Sequence, residues 1–166
     1  HPVNDSIAWP TTPIRYLGIH VGNDILACHV LNWTSKIEKI QKLTDSWRTR
    51  KLTLQGKILI LKSLAIPKLV LKASVLPIPD ELVKNVNRIL ISFVWGKTEK
   101  LKRRVLINSY ELGGLKMIDL ECHFMALKAA WIPRIYKGND QIWACLAKRY
   151  MNICTGGLLL HMNFSD

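Results

Sequence analysis

The run Ile58-Leu59-Ile60-Leu61 constrains the fold more than any other feature of the chain. Four consecutive apolar residues, about 100° apart on a helix, face every side of it, so the segment calls for apolar neighbours all round, as the central member of a bundle has. Thr53 stands ahead of the run as a helix N-cap, and the helix is expected to pass through Gly56 to about Ile66. Pro67 lacks an amide hydrogen and disfavours helical geometry at Ile66, which predicts a kink or break before a continuation to Val75. Pro77 and Pro79 then end it.

Elements on either side supply candidate neighbours. Trp33, Ile37, Ile40, Leu43 and Trp47 recur at the helical period, with Lys36, Lys39 and Lys42 interleaved, and predict an amphipathic helix with a basic flank. A further helix is expected to begin at Pro79-Asp80-Glu81, where proline suits the first turn and carboxylates suit the positive end of the dipole. Its stripe is Leu82, Val86, Ile89 and Phe93, and Gly96 is placed to stop it. Asp119 is the next N-cap, ahead of Phe124, Leu127 and Trp131 on a helix stopped near Pro133, and a last helix covers about 140–151. Residues 14–21, IRYLGIHV, read as a short strand, and 105–117 allow a small hairpin about Leu112-Gly113-Gly114. The fold class that follows is mainly α, a helical bundle with one or two short β elements.

At 166 residues and 49% hydrophobic, the chain suffices for a single buried core. Twenty-four Lys and Arg against 12 Asp and Glu leave a formal charge of +12, a self-repulsion best relieved by an anionic partner. Nucleic acid is the first expectation. A membrane span needs about 18 apolar residues in a row, and the greasiest stretch, 58–76, is cut by Lys62, Lys68 and Lys72. The opening HPVNDSIAWP lacks the charged and apolar regions of a signal peptide, and the chain reads as a fragment of something longer. Cys28, Cys122, Cys145 and Cys154 are too scattered for a disulfide framework, which points to a reducing intracellular compartment, nuclear or cytoplasmic. The sequons at Asn32 and Asn163 are short enough to arise by chance.

Little in the sequence carries catalysis. Cys28-His29 and Cys122-His123 do not have the tight Cys and His spacings of structural zinc sites, no serine or cysteine shows the surroundings of a nucleophile, and no glycine loop is built to cradle phosphate. Neither metal nor cofactor is expected. Of Trp33, Trp47, Trp95, Trp131 and Trp143, four fall on apolar stripes or at helix ends, so core packing accounts for them better than base stacking does. Trp9 stands apart in the proline-flanked N-terminal stretch.

Read in order, YLGI at 16–19, Trp47, LTLQGKILILKSLAIPKLV at 52–70, FVWGK at 93–97, GGL at 113–115 and ALKAAW at 126–131 form a succession. It resembles the LINE-type, non-LTR retrotransposon reverse transcriptases, over residues 14–136 and in the region after the catalytic palm. The resemblance implies an end-of-palm strand and loop in 1–31, a thumb-like bundle in 32–96, a connector in 97–151 and a tail in 152–166. Thumbs of that family pack on the template-primer duplex, while polymerase chemistry belongs to upstream palm carboxylates that bind two metal ions, and this chain has no Asp-Asp pair. Lys57 stands where arginine is common, and Lys116 and Ile118 replace a small residue and a proline after the glycine pair.

The physical feature closest to function is charge. Residues 36–72 hold ten cations against Glu38 and Asp45, eight of the twelve net charges. Clustered cations bind a phosphate backbone by releasing its counterions. The residues expected to carry this are Arg48, Arg50, Lys51, Lys57 and Lys62, the first three in a loop ahead of a helix N-terminus, where free amides would also face a phosphate. Gly56 costs about 1 kcal/mol in a helix relative to alanine, and two reasons for it stand open: close helix packing, or close approach of a nucleic-acid backbone beside Lys57. The expected function is therefore non-catalytic grip on a primer-template duplex, with the rest of the parent polyprotein as the other partner. The alternative is a basic helical protein-interaction module derived from a decayed retroelement.

Overall fold

The computed structural model describes residues 12–96, 102–137 and 141–155. Among them the chain is mainly helical with one two-stranded antiparallel sheet, the mainly α class that the periodicity predicts.

Residues 14–21 are not one strand but a hairpin of β1 (Ile14–Tyr16) and β2 (Ile19–Val21), with Arg15 opposite His20. Leu17 and Gly18 turn the chain at φ 48° and 81°. Positive φ at both turn residues matches the twist of two short strands, so the run pairs with itself. Helix α1 (Ile25–Arg48) begins two turns before the apolar stripe does, because Asp24 caps it by accepting from Ala27 N. Its first turns leave Ile25, Leu26 and Val30 exposed, so no stripe announces them.

Thr53 caps α2 (Leu54–Ile60), its hydroxyl accepting from Gly56 N. At Pro67 the chain neither breaks nor leaves helical geometry. It widens into a π-helical turn (Leu61–Ala65), in which Ile66 N donates to Leu61 O at 2.9 Å, and then continues as α3 (Pro67–Val75). The wider ring gives the proline room and needs no amide hydrogen from it. Leu61, Ala65, Ile66, Leu69 and Ala73 are buried, but Leu59 is 63% exposed, so the apolar run is covered on one broad side and not all round. The neighbours α1, α4 and α6 cover that side only.

Helix α4 (Asp80–Trp95) follows Pro79 and ends at Gly96, φ 81°. Val83, Val86, Leu90, Phe93 and Val94 are buried, while Leu82 and Ile89 flank the stripe half-buried. The proposed hairpin at 105–117 is absent. In its place stand a short helix α5 (Arg103–Ile107), a single 3-10 turn (Tyr110–Leu112) and a return segment. Leu115 N and Met117 N both donate to Leu106 O, and Lys116 N donates to Asn108 O. Burial of Leu106 and Met117 in the common core favours this strap over two exposed strands.

Asp119 caps α6 (Leu120–Ala129) as expected. Pro133 does not stop the chain; it lies in the first turn of α7 (Trp131–Lys137), where its missing amide hydrogen would have had no partner. Helix α8 (Ile142–Thr155) packs on α7 and runs past the expected end at 151. One core joins Trp33 and Ile40 of α1, Leu61 and Leu69, Leu90 and Phe93 of α4, and Leu120 and Phe124 of α6. Trp33 is buried and Trp47 and Trp95 pack against the core, but Trp143 is 44% exposed and is not a core residue.

Candidate nucleic-acid interface

The basic residues of 36–72 do not form one surface. Arg48, Arg50 and Lys51 are exposed together at the corner between α1 and α2, where Thr49 closes the helix and Thr53 opens the next. Arg48 reaches Ser92 Oγ on α4 at 3.3 Å and lies 4.0 Å from Asp45, so it ties the corner to the bundle while keeping an exposed face. The Arg50 guanidinium lies 4.2 Å from the centroid of the Trp47 ring. That contact restrains the side chain without neutralising it. No hydrogen bond or ion pair of the Lys51 side chain occurs among the described residues.

Lys57 is placed differently. Its Nζ donates to Val94 O at 3.0 Å and lies 5.9 Å from the Phe93 ring, at the carbonyl end of α4. A cation there satisfies a carbonyl that the helix leaves open. It is an internal tether. Lys62 is half-buried on the π turn and is not brought to the corner by any contact of its own. The amides at the corner are also partly spoken for, since Gly56 N goes to Thr53 Oγ1 and Leu52 N to Arg50 O. A Cβ at Gly56 would meet Thr53 Oγ1 at 3.2 Å and the Leu52 side chain beyond it, so close packing against another helix is not the reason for this glycine.

Lys72 departs furthest from a surface role. It is 4% exposed, and its Nζ donates to Asn32 O at 2.8 Å and Asn32 Oδ1 at 3.0 Å. Asn32, itself buried, also clamps β2: its Nδ2 donates to His20 O and its Oδ1 accepts from His20 N, both at 2.8 Å. Hairpin, α1 and α3 thus meet at one amide. Burial, and after it the charges of Lys36, Arg15 and Lys39, hold the Lys72 pKa below its usual 10.5. The sequence carried a signal for this that its charge count missed: Lys72 shares the buried face of α3 with Leu69 and Ala73.

Among the described residues no group of three or more His, Cys, Asp or Glu side chains is placed to hold a metal ion. No helix among them is long and apolar enough to cross a membrane. A groove of about 440 Å³ between α4 and α6, lined by Ile78, Asp80, Val83 and Phe124 among others, brings no nucleophile and base together. No protein-family model matches the chain.

Proposed function

We propose that this chain is a non-catalytic segment of a LINE-type reverse transcriptase, its thumb and connector, and that it grips the backbone of a primer-template duplex. It would act in the nucleus or cytoplasm beside the rest of its polyprotein. The observation that supports the reading best is the exposed corner of Arg48, Arg50 and Lys51, three cations within four residues on a rigid helix-loop-helix frame. Two of them are held by neighbours, Arg48 by Ser92 with the exposed Asp45 carboxylate at 4.0 Å and Arg50 by the uncharged Trp47 ring, so they need little ordering when a phosphate arrives. Lys57 serves the same surface indirectly, by fixing the end of α4 against α2.

Salt dependence is the test. Each phosphate neutralised on B-form DNA contributes about 0.9 to the slope of log K against log salt, so contacts from this corner and its surroundings should give a slope of roughly three to five. Converting Arg48, Arg50 and Lys51 together to alanine should weaken binding to any duplex sequence by a similar factor and lower the slope by about two to three. The protein-interaction alternative expects a slope unchanged by the triple substitution, and that result would overturn the proposal.

A further inference from the structure

A second group of cations lies away from the corner. On α1, Lys36 and Lys39 follow Asn32 by one and two turns and so share its stripe. At 3.6 residues per turn they project about 120° and 180° round the helix from Arg48, and lie roughly 14 to 18 Å from it along the axis. The hairpin adds Arg15, which stands opposite His20 in the ladder, and it is the His20 backbone that Asn32 grips on both sides. Beneath them lies Lys72, from α3, on the same asparagine.

Four cations from three elements therefore lie near one another, Lys72 on the Asn32 amide and Lys36, Arg15 and Lys39 close enough to act on its charge. Among the described residues no carboxylate pairs with any of them, and the hydrogen bonds of Lys72 go to neutral oxygens. Buried charges are ordinarily paired, and like charges at close range repel, so an anion over the group would relieve the repulsion that its neutral hydrogen-bond partners leave in place. Arg15 and Lys39 are exposed and Lys36 is half-exposed, which leaves the outer side open to one.

We propose that Arg15, Lys36 and Lys39 form a phosphate-binding site over the Asn32 and Lys72 clamp, separate from the corner of Arg48, Arg50 and Lys51. Arginine supplies a planar fork of donors and the two lysines supply point charges, a set suited to a tetrahedral oxyanion. The phosphate belongs either to a nucleic-acid strand or to a free polyphosphate. Since Arg15 comes from the hairpin and the lysines from α1, a bound phosphate also braces the hairpin on the bundle. The proposal does not depend on the nucleic-acid reading of the corner.

The experiment follows the Lys72 side-chain signals of the full chain by NMR during titration with inorganic pyrophosphate, and separately with an unphosphorylated single-stranded DNA octamer. Sodium chloride at matched ionic strength is the control. At least one probe should shift the Lys72 signals saturably and raise its titration midpoint, because an anion above it favours the charged form. A response to the octamer alone assigns the site to strand backbone, and one to pyrophosphate alone assigns it to free polyphosphate. Converting Arg15, Lys36 and Lys39 to glutamine should weaken that binding about tenfold or more, while the Arg48, Arg50 and Lys51 alanine variant should keep it. The pair Lys36→Gln and Lys39→Gln, with the hairpin untouched, should give a smaller loss in the same direction. A Lys72 response that salt alone reproduces, no response to either probe, or equal sensitivity to the corner variant would overturn the site.

Discussion

A single residue, Lys72, shows how far charge along a sequence differs from charge on a surface. Its stem runs along the buried face of α3 and its ammonium ends on Asn32, with no carboxylate among the described residues to balance it. Its pKa lies below 10.5, so in the interval between that lowered value and 10.5 the unfolded chain binds more protons than the folded one. Stability therefore rises with pH across the interval; below it both states are protonated and the burial cost is felt in full. Lys72→Met removes this group and should flatten the rise in denaturation midpoint between neutral and alkaline pH. An identical pH profile in parent and variant would show that Lys72 keeps its ordinary titration. The corner cations were easier to read, because Arg48 ends α1 and Arg50 and Lys51 follow it between the core-packed Trp47 and Leu52 with no apolar residue among them. Lys57 was not, since the Val94 carbonyl that holds it lies 37 positions away.

At the scale of elements, caps were legible and continuations were not. Thr53 and Asp119, read as caps, each accept from an amide of the first turn they precede, a purely local chemistry. Asp24 caps α1 in the same way but was not read, because no apolar stripe follows it closely. Two prolines, by contrast, bend the rule that they end helices: one is absorbed by the π turn before Pro67, the other sits in the first turn of α7. The strap at 105–117 turns on its two glycines in different ways. Gly113 has φ 72° with open space about it, whereas a Cβ on Gly114 would fall 2.1 Å from Asn108 O and 2.4 Å from its carbonyl carbon. Gly113→Ala should therefore lower stability by about 1 to 2 kcal/mol through the left-handed backbone alone. Gly114→Ala should cost more, because backbone atoms must move apart and Leu106 and Met117 move with them. Urea unfolding of the two variants checks the order, and equal losses would mean that the strap is not as tight as the backbone places it.

For the molecule as a whole, electrostatics opposes folding more than it helps. Net charge is +12, and the ion pairs among the described residues, such as Arg103 with Asp119 and Glu121, are at least partly exposed. Partly solvated pairs contribute little, while repulsion among unpaired cations is spread over the surface. Raising sodium chloride from about 0.05 to 0.5 M shortens the screening length from roughly 14 to 4 Å, and should raise the melting temperature. A fall over that range would mean that ion pairs outweigh repulsion. The sequence by itself determined the helical class, the caps at Thr53 and Asp119, the turn glycine at Gly96 and the basic excess, because each follows from neighbours within a turn or two or from a simple count. Only the tertiary structure decided which side of α2 and α3 is covered, that residues 14–21 pair with themselves, and that the basic segment divides into an exposed corner, the tether at Lys57 and the clamp at Lys72. Apart from the hairpin, those outcomes depend on partners distant in sequence, such as Asn32 40 positions from Lys72 and Ser92 44 positions from Arg48, and the local pattern carries no record of which helix lies opposite.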